Sequence, residues 1–338
     1  MTSHTPLIAN VASKQRPSLS VIIPVLNEED VLRAFYDRLS KALSDFRGHT
    51  EILFINDGST DTTAQILNSL CQHDHRVGVV SLSRRFGKEA ATSAGIDHAT
   101  GDALIFIDAD LQDPPECIPG MIEAWQSGFD VVGMKRSDRS SDSWLKRHSA
   151  ALFYGLLDRL SDTEMHNNVG DFRLISRRVA DALKQLPERN RYMKGLFAWV
   201  GYPYIEIPYQ RESRHAGITK WPITKLIGLA LDGITAHSMA PLRIATIVGL
   251  MAAGGAFLMG FYVLIRTVLL GDPVAGFPTL MITITLLGGV QLLSVGLLGE
   301  YIGRMFVETK QRPLYFVESV RKPAAAQPYG PALLSKAL

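Results

Sequence analysis

The sequence predicts an α/β chain: a Rossmann-like domain, then an interfacial helix and two transmembrane helices. Three observations carry that prediction. Short apolar runs alternate with amphipathic stretches over residues 19–186. One of those runs, 103–107, empties into Asp108-Ala109-Asp110-Leu111-Gln112-Asp113-Pro114-Pro115. Farther on, charge almost vanishes between Ile244 and Leu298.

The elements follow in order. Residues 20–25 form a first strand, and Asn27-Glu28-Glu29 opens a helix running to about Phe46, with carboxylates favourably placed at its amino end. Residues 51–56 form a second strand, and Asp57-Gly58-Ser59-Thr60-Asp61 is the turn and cap of a second helix. A third strand (77–82), a third helix (87–99) and a fourth strand (103–107) come next. This alternation predicts a parallel, doubly wound sheet whose loops converge on one ligand at the carboxyl ends of the strands. No GxGxxG follows the first strand, so the dinucleotide fingerprint is missing. Residues 130–134 read as a fifth strand, 135–143 as a polar stretch, 144–160 as a helix, and 170–175 as a strand leading into a helix to Leu186. Residues 204–209 alternate, and their prolines assign them to a sheet edge.

Asp108 and Asp110, one residue apart at the end of a buried strand, with the Gln112 amide beyond, make a hard-oxygen pocket. Mg²⁺ or Mn²⁺ takes such oxygens together with those of phosphate. An isolated Asp-x-Asp is more often an acidic turn capping a helix. The preceding strand and the double proline favour the metal and a nucleotide diphosphate.

Composition narrows the classes. Charged residues are 20% and hydrophobic residues 46% of 338, with a formal charge of +2. That balance, without a basic-aromatic cluster, excludes nucleic acid as a partner. Cys71 and Cys117 have no zinc-type spacing and read as buried thiols of a reducing compartment. The first 17 residues lack the apolar core of a secretory signal.

Two stretches, 244–270 and 278–298, reach the ~20 residues that span a bilayer. They are apolar on every face and rich in small residues such as Gly249, Gly254, Gly255 and Gly260, as bilayer helices tend to be. Lys220, Lys225 and Arg243 precede the pair, and Arg304, Lys310, Arg312, Arg321 and Lys322 follow it. The positive-inside rule then places both termini and the amino domain in the cytoplasm. The organisation expected is a tail (1–18), the α/β domain (19–221), an interfacial amphipathic helix (222–243), a transmembrane hairpin (244–300), a cytoplasmic helix and strand returning to the catalytic domain (301–322), and a second tail (323–338).

The motifs in this order resemble bacterial polyprenyl-phosphate glycosyltransferases of the bactoprenol glucosyltransferase type, relatives of dolichol-phosphate mannose synthase in glycosyltransferase family 2. The matching stretches are Pro24-Val25-Leu26-Asn27-Glu28, Asn56-Asp57-Gly58-Ser59-Thr60-Asp61, Arg84-Arg85-Phe86-Gly87-Lys88, Asp108-Ala109-Asp110-Leu111-Gln112, Gly170-Asp171-Phe172-Arg173 and Ala216-Gly217-Ile218-Thr219-Lys220-Trp221. Leu231-Asp232-Gly233-Ile234 and Ala240-Pro241-Leu242-Arg243 resemble the bactoprenol branch in particular. The resemblance covers residues 19–317. It implies a GT-A fold, a UDP-hexose donor, a polyprenyl phosphate acceptor, Mg²⁺ or Mn²⁺, the bacterial inner membrane and a homo-tetramer.

By the same resemblance Pro24, Asn27, Glu28 and Asp57 line the nucleoside pocket. Asp108 and Asp110 hold the metal and diphosphate, with Gln112 near the metal. Asp171 is the candidate base. For Asn27, Glu28 and Asp57, helix capping competes as a role. Lys220 reads equally as a cation for the leaving diphosphate or as a membrane-surface lysine. Arg136 and Arg147 suit a bidentate grip on the lipid phosphate, against a solvated charge run. Rival readings are a synthase for lipid-linked mannose, aminoarabinose or galactosamine, a processive polysaccharide synthase, and a non-enzymatic scaffold or flippase. The processive synthase is disfavoured because the chain has no Gln-x-x-Arg-Trp element.

Overall fold

The computed structural model describes residues 17–137, 169–186, 188–189, 191, 193–212 and 276–323, with isolated helical positions between 247 and 269. Four strand–helix units open the chain: β1 (Ser18–Val25) and α1 (Leu32–Ala42), β2 (His49–Asn56) and α2 (Thr63–His73), β3 (Val77–Leu82) and α3 (Lys88–His98), β4 (Ala103–Phe106) and α4 (Ile118–Gln126). There follow β5 (Val131–Arg136), β6 (Val169–Ser176), α5 (Arg177–Lys184), α6 (Met193–Trp199), β7 (Tyr204–Tyr209), α7 (Phe277–Lys310) and β8 (Val317–Arg321).

The described strands form one eight-stranded sheet in the order β7-β5-β6-β4-β1-β2-β3-β8. Period-two alternation divides its side chains between two cores. Val21, Ile23, Ile52 and Phe54 face α1, α2 and α4, while Ile22, Leu53 and Ile55 face α3, α5 and α6. Both faces are covered, which is why the strands read as continuous apolar runs.

The structure corrects two expectations. The sheet is mixed, not parallel: β3, β2, β1 and β4 are parallel neighbours, but β6 runs antiparallel to both β4 and β5. An apolar run records burial, not direction. The first helix begins at Leu32, without acidic residues in its first turn. Asn27-Glu28-Glu29 is instead a loop tied to the loop after β2. As expected, β7 lies at the sheet edge. The helix expected at 144–160, the interfacial helix at 222–243, Arg147 and Lys220 lie outside the described residues.

Helix α3 is buried from Ala90 to Ile96, and these residues are small apart from Ile96. Small side chains let it lie close against the sheet. A Cβ on Gly95 would stand 2.2 Å from Ile22 Cγ2.

Helix α7 is 34 residues long, and its stretch Leu286–Lys310 is apolar and long enough to cross a bilayer. At 1.5 Å per residue that stretch extends about 37 Å, against ~30 Å of hydrocarbon. Leu286, Leu292, Val295, Ile302 and Met305 are all exposed, so no core among the described residues covers these positions. Of the first expected span, only isolated helical positions are described, with Ile247, Met251, Leu258 and Leu269 exposed. Gln311, in left-handed backbone, ends α7. The chain then returns to the sheet, where β8 pairs antiparallel with β3.

Gly95→Ala overpacks the α3–β1 contact and is expected to destabilise the domain by about 1–3 kcal/mol. Gly120→Ala, in α4 with open space around its Cβ position, is expected to stabilise it by roughly 0.5–1 kcal/mol through helix propensity. Thermal or denaturant unfolding of the two variants checks both signs.

Candidate active site

Strand register assembles the site. Val25 of β1 is level with Asn56 of β2, so the loops after β1 and β2 emerge side by side, beside those after β3 and β4. Antiparallel β6 brings its starting end to this same rim. Phe106 pairs with Arg173, and continuing that register two residues sets Asp108 beside Asp171. Lys88, the first residue of α3, reaches between them. Its Nζ donates to Asp108 Oδ2 at 2.7 Å and to Asp171 Oδ2 at 2.6 Å. Burial of the ammonium lowers its pKa, but the charges and hydrogen bonds of the two carboxylates outweigh this and hold it above the usual lysine value. The ammonium's contribution to stability is therefore complete below the ordinary lysine pKa of ~10.4 and is lost only as pH rises beyond it.

A cleft beside this triad is lined by Pro24, Glu28, Asp57, Arg85, Lys88, Asp108 and Asp110. Asp57 is buried, and its two oxygens accept from the amides of Phe86 at 2.6 Å and Gly87 at 2.9 Å. It thereby pins the loop after β3 rather than capping α2. Gly58, with φ +71°, leaves this crossing no room for a side chain: a Cβ would lie 2.6 Å from the Arg85 amide nitrogen. Asn27 has a left-handed backbone (φ 55°), and its Oδ1 accepts from the Thr60 amide at 2.8 Å. The Glu28 amide donates to Thr63 Oγ1 at 2.9 Å, and Glu29 Oε2 accepts from the Thr62 amide at 2.9 Å. Glu28 and Asp57 thus line the cleft, while Asn27 and Glu29 brace its wall.

The acidic loop is wound tightly. Leu111 is buried with φ 60°, a left-handed conformation that costs a non-glycine residue about 1–2 kcal/mol. Asp110, also buried, accepts at Oδ1 from the Gln112 amide at 3.1 Å. Asp113 sits beneath: the Tyr209 hydroxyl donates to its Oδ1 at 2.5 Å, and Arg211 approaches to 3.8 Å. Burial pushes the Asp113 carboxyl above its usual range, with the Tyr209 hydrogen bond opposing. Arg136 ends β5 level with Tyr209, at the same rim. Its Nε is buried and has no hydrogen-bond partner among the described residues.

The fold therefore brings Pro24, Glu28, Asp57, Asp108, Asp110 and Asp171 together and sets Arg136 on the same edge. Asp108, Asp110 and the Gln112 oxygen suit a hard divalent cation. No three His, Cys, Asp or Glu side chains cluster as a full cage among the described residues. One or two carboxylates completed by substrate phosphates are what Mg²⁺ ordinarily takes. Sequence reasoning gave no role to Lys88 or Arg85, and read Glu29 as a carboxylate opening the first helix. The available signal for Lys88 was its place just after Gly87, at the start of a helix that follows a strand.

Comparison with known proteins identifies the family. Residues 20–184 match glycosyl transferase family 2, and residues 240–305 match the GtrB C-terminal hairpin. The chain is 48% identical over 304 residues to the prophage bactoprenol glucosyl transferase homolog of Escherichia coli K12, covering 90% of this chain and 99% of that protein. It is 49% identical over 301 residues to the bactoprenol glucosyl transferase of Shigella phage SfX, covering 89% and 99%. The chain belongs to glycosyltransferase family 2. Within it, the chain falls in the bactoprenol glucosyl transferase branch. The hairpin match and the apolar α7 point to membrane association. Among solved structures, glucosyl-3-phosphoglycerate synthase from Mycobacterium tuberculosis, in complex with Mn²⁺, UDP and phosphoglyceric acid, is 21% identical with a TM-score of 0.47, covering 65% of this chain and 76% of that one.

Lys88→Met is expected to reduce the transferase kcat by roughly 10²–10³-fold, the usual cost of deleting a preorganised electrostatic group. Because Lys88 and Asp171 touch, the double variant Lys88→Met/Asp171→Asn is expected to lose less than the product of the two single losses. Steady-state kinetics of the four proteins measures this.

Proposed function

We propose that the chain transfers glucose from UDP-glucose to a polyprenyl phosphate at the cytoplasmic face of the membrane, inverting the anomeric centre. The convergence of Asp108, Asp110, Asp171 and Lys88 on one rim of a cleft carries this reading. The names of the relatives specify the sugar and the lipid.

An acceptor phosphate oxygen attacks the anomeric carbon from the face opposite the nucleotide. The bond from that carbon to the diphosphate breaks, and its electron pair leaves with UDP. Asp108, Asp110 and Gln112 would hold Mg²⁺ or Mn²⁺, which offsets charge on a departing diphosphate. Lys88 supplies a fixed positive charge at the same rim and orients Asp171. The second pKa of a phosphate monoester is ~6, so the acceptor arrives largely ionised at neutral pH. Asp171 therefore acts more by placing the nucleophile than by removing a proton. Arg136, at the same rim, offers a guanidinium for the lipid phosphate, a group arginine grips well. Arg147 and Lys220, outside the described residues, are candidates for the same phosphate and for the leaving diphosphate respectively, Lys220 reading equally as a membrane-surface lysine.

A polyprenyl chain cannot leave the bilayer cheaply, at ~0.8 kcal/mol per buried CH₂. The site must come to the headgroup, and a membrane hairpin over the residues that match the C-terminal hairpin family would hold it there. The cytoplasmic placement of both termini follows from the flanking lysines and arginines. Assembly as a tetramer is the expectation from the family.

Purified protein offered a panel of UDP- and GDP-sugars with undecaprenyl phosphate and Mg²⁺ or Mn²⁺ tests this. UDP-glucose is expected to react fastest, and chelation by EDTA to abolish transfer. Asp110→Asn is expected to slow turnover by at least roughly 10²-fold; unchanged turnover would favour a non-enzymatic scaffold. Arg136→Ala is expected to raise KM for the lipid phosphate by roughly 10–100-fold, the worth of a charge-assisted hydrogen bond.

A further inference from the structure

The far end of the chain touches the donor side of the cleft, and nothing in the transfer chemistry accounts for that contact. After α7 the backbone turns at Gln311 and runs past α3 to the outer edge of the sheet. Three contacts fasten this return. Glu308 accepts from the Arg189 amide at 2.8 and 3.0 Å. The Tyr315 hydroxyl donates to Asp97 Oδ2 on α3 at 2.7 Å. Residues 317–321 then pair with β3, from Leu82↔Val317 to Val79↔Arg321, across an irregularity at Ser81/Leu82.

Covering the exposed edge of β3 would be reason enough for a strand. The contact goes further, into the loop that lines the cleft. The Ser83 amide donates to the Phe316 carbonyl at 2.9 Å. The Phe316 ring lies 6.3 Å from that of Phe86, and the Arg84 guanidinium covers Phe86 at 4.0 Å. Phe86 is also the residue whose amide Asp57 accepts, and Arg85, Gly87 and Lys88 on either side of it line the cleft. The loop is thus held from inside by Asp57 and from outside by Phe316.

We propose that Phe316 is a positioning residue for the nucleotide sugar: strand β8, which directly follows the membrane helix, holds the 83–88 loop in its donor-binding form. This rests on the donor reading given above. Affinity for the donor then depends on β8 staying docked. By thermodynamic reciprocity, donor binding must hold β8 in place by the same factor.

Two measurements on the full-length protein test this. The first is binding of UDP, with Mg²⁺ present, to wild type, Phe316→Ala and Phe316→Tyr, together with KM for polyprenyl phosphate. Phe316→Ala is expected to bind UDP roughly tenfold more weakly, a common allosteric coupling. Its KM for the lipid is expected to be unchanged, and Phe316→Tyr is expected to restore UDP affinity. The second is amide hydrogen exchange of residues 317–321 in wild type with and without UDP, which is expected to slow when UDP is bound. A folded Phe316→Ala protein with wild-type UDP affinity would overturn the proposal. So would exchange in β8 that ignores UDP, and this result decides the matter if Phe316→Ala does not fold. If wild type binds UDP tightly while β8 exchange is unchanged, only this inference falls. If wild type binds no UDP, the donor reading falls with it.

Discussion

The site depends on one strand running against its neighbours. β6 enters the sheet antiparallel between β4 and β5, so its first residues arrive where β1, β2 and β4 finish. A fully parallel sheet would send Asp171 to the opposite end of the domain. The antiparallel register sets it beside Asp108 and creates two facing carboxylates. Lys88 lies between them as a fixed counter-charge. Buried or half-buried acids need such pairing, because leaving one unpaired is far costlier than the pair is stabilising.

A second constraint is the close fit of the loops. Gly58 lies against the backbone of Arg84 and Arg85, and Asp57 spends both oxygens on the next loop's amides. Asn27 and Leu111 adopt left-handed backbone on either side of the cleft. Such conformations persist where the surroundings over-determine them, and here side-chain hydrogen bonds and burial do so. The cleft is therefore pre-shaped by loops bonded to one another, each following a different strand. The C-terminal strand extends this logic by bracing the loop after β3 from the segment that follows the apolar α7.

Much of this was legible in advance. Asp108 and Asp110 could be placed because a buried strand ends there, and strand ends are where open α/β sheets bind ligands. Glu28 and Asp57 could be placed at the same pocket by the resemblance to the family. Their local roles could not be read. Asn27-Glu28-Glu29 looks like a helix start because capping and loop-bracing use the same residue types, and only the partner loop at residues 59–63 decides between them. Lys88 belongs to a stretch that carries the family resemblance, but nothing local gives it a role beyond that of a lysine opening a helix. Its meaning comes from two aspartates, 20 and 83 residues distant in sequence.

The sequence by itself determined where the strands of the sheet and most of the helices between them lie, that a long apolar stretch follows the α/β domain, and that an acidic loop ends a buried strand. These follow from local periodicity and hydropathy, which act over a few residues. Only the tertiary structure decided the direction of β6, the pairing of Asp108 with Asp171 through Lys88, and the docking of Phe316 beside Phe86. Strand direction and register are settled by the burial of whole faces and by hydrogen bonds between distant segments, and no local window contains that information.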